Sequence, residues 1–225
     1  MSVSAGVICV TDHFCRAQAL STTPGVNGWT VKDTSPSGTP TYLCVTEDGG
    51  AMALTLAATS EAEIVTMYQN DVLPLDLRQL QRIWFIAKVS GIDAVTQLAM
   101  GVASAQNDTL DSVQVSAWFR IDGTASPSNV VIETDDDVTN TDDKATGTTL
   151  GSTYKKFEIN FENGLSDIRF FIDGQPVGSQ TFSMSGVAAG QNVQPFVQIQ
   201  KASGTGTPAV QIAQIGWQSQ YSYGS

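Results

Sequence analysis

Positive charge is in short supply. The 225 residues hold 11 Lys and Arg against 22 Asp and Glu, a net charge of −11, so a phosphate backbone or an anionic lipid surface meets repulsion rather than a basic patch. Neither nucleic acid nor a membrane is an expected partner. Histidine is nearly absent. His13 alone leaves no partner for a His-containing metal cluster, and any catalytic triad would have to be built around that one imidazole. Cysteine is scarce and odd in number: Cys9, Cys15 and Cys44 lack C-x-x-C spacing, so no disulfide framework or zinc site is indicated and all three read as reduced thiols. Long apolar runs are missing as well. In the first twenty residues the run Val7 to Val10 is too short for a signal-peptide core or a membrane span, and no basic segment precedes it. Sec-type export is not expected. The phosphate-loop, dinucleotide, zincin and nucleophile-elbow patterns do not occur. No cofactor, metal site or catalytic residue is assigned.

What is present is alternation. With 41% hydrophobic residues the chain can bury a proper core, and apolar residues recur with period two between clusters of Gly, Pro, Asn and Asp. The clearest strand is 154–162, where Phe157, Ile159 and Phe161 point one way and Lys156, Glu158, Asn160 and Glu162 the other. A hairpin follows: 167–172, then Asp173-Gly174 as a tight turn tolerant of positive φ, then 176–182. Further strands are expected at 29–33, 42–46, 51–57, 63–68, 82–90, 97–103, 113–121, 130–134, 195–201 and 210–217. So many strands must split into two packed layers. The strand 82–90 is apolar on both sides, with Ile83, Phe85, Ala87 and Val89 against Trp84 and Ile86, as suits a central strand or one whose outer face meets another chain. Helical spacing occurs once, at Leu73, Leu77, Leu80 and Trp84, and predicts one short helical turn around 76–80. No repeat or linker divides the chain. One domain over 1–225 is expected, with an N-terminal arm 1–12 and a C-terminal tail 218–225.

Several phrases carry a resemblance: PLDLRQLQRIWFIAKVS, GVASAQNDTLDS, VVIETDDD, KKFEINFENGLSDIRFFIDGQPVG and QPFVQIQKASGTGTPAVQIAQIGW. In that order, over roughly residues 28 to 217, they resemble structural proteins of tailed-bacteriophage virions built on a concanavalin A-like, laminin-G-like jelly-roll sandwich. The resemblance implies an all-β, two-sheet antiparallel sandwich with at most one short helical turn, assembled in the host bacterial cytoplasm into a virion. It implies a non-enzymatic capsid decoration (cement) protein, contacting the major capsid protein or other virion proteins as a homo-oligomer, in one arrangement a trimer. The alternative is a glycan- or receptor-binding module of a head fibre or tail, with a host glycan as ligand. A glycoside hydrolase on the same fold ranks third.

Particular residues sharpen or blunt these readings. Glu158-Ile159-Asn160-Phe161-Glu162 sits close to the Glu-x-Asp-x-Glu strand motif of laminarinase-type hydrolases, because alternate strand positions put carboxylates on one face about 6 to 7 Å apart. Asn160 stands where that motif has its central acid, so the pair lacks the group that would split its protonation states. A solvated strand face balanced by Lys156 is the plainer reading, and an enzyme is not expected. Asp135, Asp136, Asp137, Asp142 and Asp143, and the pair Asp108 and Asp111, would suit calcium, but they lack EF-hand spacing and read as solvated loops and local turns. Trp84 and Trp118 have polar neighbours of like parity and are expected to face outward. With Tyr221 and Tyr223 of the polar tail they are the candidate partner-contact residues.

Overall fold

The computed structural model describes residues 6–14, 20–23, 25, 28–123 and 129–221, the last of these by its backbone. The strands run β1 (Gly6–His13), β2 (Thr30–Asp33), β3 (Thr41–Val45), β4 (Ala51–Thr55), β5 (Glu63–Tyr68), β6 (Leu75–Asp76), β7 (Leu80–Ser90) and β8 (Thr96–Ala103). There follow β9 (Val115–Asp122), β10 (Asn129–Asp136), β11 (Asn140–Thr149), β12 (Lys155–Asn160), β13 (Ile168–Ile172), β14 (Gln175–Phe182), β15 (Asn192–Lys201) and β16 (Ala209–Tyr221). They form two antiparallel sheets. The first has the order β14-β13-β12-β7-β16-β4-β3, with β1 also paired to β16; the second has the order β11-β10-β9-β8-β15-β5-β2, with β6 paired to β15. The two layers, all-β and nearly helix-free, make a sandwich.

Period-two alternation explains the core. Ile83, Phe85 and Ala87 of β7, Phe157 and Ile159 of β12, and Ile212 and Ile215 of β16 are fully buried from the first sheet. Leu98, Met100 and Val102 of β8, Ala117, Phe119 and Ile121 of β9, and Val197 and Ile199 of β15 meet them from the second. Phe119 packs edge-on against Phe157 and Phe170, ring centroids 5.1 and 5.3 Å apart, and Phe170 meets Phe182 at 4.9 Å. Such pairs contribute about 0.5 to 1.5 kcal/mol each beyond area burial. The expected hairpin is β13 and β14, turned by Asp173 and Gly174 at φ 52 and 77.

One charge lies deep in this architecture. The Lys201 ammonium is wholly buried, donating to the carbonyls of Ala57, Thr59, Gly204 and Gly206 and lying 3.6 Å from the Glu63 carboxylate. It binds the end of β15 to the segment between β4 and β5.

The structure corrects three expectations. No helical turn forms at 76–80: the chain makes β6, the Arg78 N–H donates to the Asp76 carboxylate, and β7 begins at Leu80. Leu75, Leu77 and Leu80 are all buried, so tertiary burial overrides helical spacing; a 3-10 turn forms instead at Leu110–Ser112. The acidic run is not all loop. β10 continues to Asp136, Asp137 turns at φ 66, and β11 returns as an exposed edge strand. With neither face covered by the core, β11 shows no apolar alternation to read. The stretch 6–12, expected as part of an arm, is strand β1, paired residue for residue with β16 from Gly6 opposite Tyr221 to His13 opposite Gln214. That pairing also places 218–221 in the sheet.

Candidate functional site

The outer face of the first sheet carries Trp84. Ile83 and Phe85 point into the core, so Trp84 projects outward, half-buried, opposite Gly216 of β16 and Glu158 of β12. A side chain at Gly216 would overlap Cζ2 and Cε2 of the indole; the ring therefore rests on the neighbouring backbone. Its Nε1 donates to Gln214 Oε1 at 2.8 Å. The Arg82 guanidinium carbon and Lys156 Nζ each lie 5.8 Å from the ring centroid. Arg82 Nε donates to Gln218 Oε1 at 2.9 Å, and Gln218 donates to Gln81 at 2.7 Å. His13 meets Gln214 at 2.9 Å. Beyond Glu158 the same cross-strand row continues to Phe171 and Pro176, both outward. The arrangement is an aromatic ring framed by amides and cations, as a pyranose or a planar cation could use.

The outer face of the second sheet is closed over. Trp118, expected outward as a contact residue, does point away from the inter-sheet core, but it is fully buried. Leu110 and Val113, from the segment between β8 and β9, pack over Trp118, Phe196 and Tyr68, and the Trp118 and Phe196 centroids are 5.8 Å apart. Strand parity told the direction of the side chain; only the covering segment told its exposure. Beside this cluster Arg120 Nη1 donates to Glu133 at 2.8 Å and to Asp111 at 2.9 Å. Glu133 is 2% exposed, and burial pushes its carboxyl up against the opposing pull of Arg120. Burial likewise raises Asp135, which borders an open depression of about 360 Å³ shared with Asp111, Gln114, Asp137 and Asn140.

Two carboxylate pairs lie on or beside outward strand faces, and only Glu133 and Asp135 occupy alternate positions of one strand. Glu158 is tied to Lys156 at 2.6 Å, and Glu162 lies past the end of β12, its N–H donating to Asn160 Oδ1 at 3.0 Å. The second pair, Glu133 and Asp135, was missed as a site in the sequence. The signal existed: with Val130 and Ile132 inward, Glu133 and Asp135 must share the outer face. Of the remaining acids, Asp136 accepts N–H bonds from Val138, Thr139 and Gly186. Asp108 binds Lys32 at 3.0 Å. Cys9 and Cys44 are free thiols, the first exposed; Cys15 and Tyr223 lie outside the described residues, as does the side chain of Tyr221.

No protein-family model and no curated protein matches the chain. Solved structures do. The carbohydrate recognition domain of Emp47p superposes with a TM-score of 0.63 at 8% identity, covering 91% of this chain and 92% of that one. SCLam, a non-specific endo-β-1,3(4)-glucanase of family GH16, gives 0.63 at 9% identity, with 98% and 94% covered. This is a concanavalin A-like jelly roll. A carbohydrate esterase from the Shiga toxin-encoding bacteriophage phi24B reaches 0.50 at 18% identity, covering 86% and 91%. At these identities the jelly roll's neighbours establish its fold and nothing finer. They overturn one expectation from the sequence, that an enzyme could be excluded. The same sandwich carries glycoside hydrolases and a carbohydrate esterase, so Asn160 in place of an acid on one strand does not exclude catalysis for the fold as a whole.

Proposed function

We propose that this jelly roll is a structural protein of a tailed-phage virion, of the capsid-decoration kind, docking through the edge formed by β1. The observation that carries the reading is the character of that strand. Among the described residues β1 pairs with β16 alone, and it exposes Val7 at 56%, Ile8 at 37% and Cys9 beside them. An open strand edge offers unpaired N–H and C=O groups to a partner chain, and apolar side chains above it add burial energy. Proteins that remain free in solution blunt such edges with charge; here the first charged side chain along β1 is Asp12. The resemblance to virion proteins and the phage origin of one structural neighbour support the same reading.

The partner is the major capsid protein or another virion protein, and the action is mass action: a unit that binds only assembled capsomers lowers the free energy of the closed shell by its binding energy at each site. Assembly in the host cytoplasm and a trimeric arrangement follow from the resemblance. The test is a cryo-EM map of particles assembled with wild type and with Val7→Lys/Ile8→Lys. Density on the shell that the double variant loses, at unchanged melting temperature, is expected. Undiminished occupancy by the variant, or density on a tail fibre in place of the shell, would overturn the reading. One observation favours a second reading, a glycan-contacting module: the framed ring of Trp84.

A further inference from the structure

Arg82, like Arg78 and Lys144, has no carboxylate partner among the described residues. Seven of the chain's eleven basic residues have one. The one hydrogen-bond acceptor of Arg82 among the described residues is the neutral Gln218, engaged through Nε. That bond and the nearby indole hold the guanidinium in place and leave both Nη groups without a partner among the described residues. A guanidinium edge of this kind recognises a carboxylate through two parallel N–H bonds.

Beside it stands the Trp84 ring, resting on Gly216 and pinned by Gln214, with Glu158 on its other side already neutralised by Lys156. The surroundings are amides and charges rather than a continuous apolar patch, which suits a hydroxyl-rich ring better than the dry centre of a protein interface. From this geometry we propose that the Trp84 and Arg82 face binds an acidic sugar of the uronate class: the pyranose stacks on the indole, its carboxylate meets the Arg82 Nη groups, and Gln214 and Lys156 lie within reach of its hydroxyls. The net charge of −11 repels polyanions at long range, but that repulsion is screened beyond about 8 Å at physiological ionic strength, and the local cation decides the contact. The site is separate from the β1 edge and rests on the glycan-contacting reading of the Trp84 face.

The test is a titration of the full chain with tri-galacturonate and with the neutral trisaccharide cellotriose, read by tryptophan fluorescence and calorimetry. Tri-galacturonate is expected to bind at least tenfold more tightly. Arg82→Gln should erase that preference at unchanged melting temperature, and Trp84→Ala should remove binding of both sugars. Equal affinity for the two sugars, an undiminished preference in Arg82→Gln, or no binding of either would overturn the proposal. So would a particle map in which a neighbouring protein covers Trp84.

Discussion

The indole of Trp84 occupies the space that a side chain at Gly216 would need. Gly216→Ala should therefore swing the ring away from β16. The atoms it meets are the far end of a side chain free to move toward solvent, so stability should change by less than about 1 kcal/mol, partly offset by the gain of replacing Gly in a strand. A red-shifted tryptophan emission and at least fivefold weaker tri-galacturonate binding are expected. Unchanged emission would mean that the ring does not rest on Gly216.

Arg120 lies between a buried and an exposed acid, and the two should differ sharply. Arg120→Met leaves Glu133 buried without its counter-charge, at a cost of about 3 to 5 kcal/mol. Asp111 is 67% exposed at its side chain, so Asp111→Asn should cost no more than about 1 kcal/mol. Urea denaturation at neutral pH measures both. Similar losses from the two substitutions would contradict the geometry.

The same site predicts a pH signature. Burial lifts the Glu133 carboxyl above its ordinary value of 4.5, so the folded protein keeps a proton that the unfolded chain has already released. Between 4.5 and the raised value, stability must fall as pH rises. Glu133→Gln should show a smaller fall, the remainder coming from Asp135, whose carboxyl burial also lifts above its ordinary 3.8. Asp108 does not confuse the measurement: burial alone would raise it, but bonds from Gln106 and Lys32 hold it below its ordinary 3.8. Its contribution is lost as pH drops through the folded value, below 3.8 and outside the Glu133 window. Unfolding free energies from about pH 4 upward, wild type against variant, test this; parallel curves would refute it.

Lys201 should prove indispensable to the fold. Lys201→Met takes a donor from four carbonyls and leaves the buried Glu63 without its counter-charge, though Glu63 keeps the Ala57 N–H and the Thr59 hydroxyl, which is expected to cost about 3 to 5 kcal/mol. A melting temperature within a degree or two of wild type would show that water replaces the ammonium at little cost.

The two described thiols differ in access. Cys9 is exposed on β1, and Cys44 is half-buried on β3. Native-state alkylation followed by mass spectrometry should label Cys9 well before Cys44, and a bulky adduct at Cys9 should lower particle occupancy if the β1 edge docks. Equal labelling rates would argue against an open β1 edge.

Much of the sandwich is written locally. Where one sheet face is core and the other is wet, as along Phe157 to Ile159 or Ile168 to Phe170, period two places the strand and its inward side without further information. Asp173-Gly174 marks its hairpin because two consecutive positive φ values suit few other pairs. β11 and β1 escape this logic. They are edge strands with little buried face, held by backbone pairing to β10 and β16, and a strand without a buried face leaves no periodic trace.

The same divide runs through the candidate sites. Side-chain direction belongs to the sequence: alternation alone turns Trp84, Trp118, Glu133 and Asp135 away from the core. Exposure belongs to the tertiary structure, because it depends on what else arrives at that face. Leu110 and Val113 close over Trp118, whereas Gly216 and Gln214 reach Trp84 from across the sheet, with Arg82 beside it on the same strand, and leave it half-open. Arg82 and Gln218 are 136 residues apart in the chain, and only the antiparallel register of β7 with β16 brings them together.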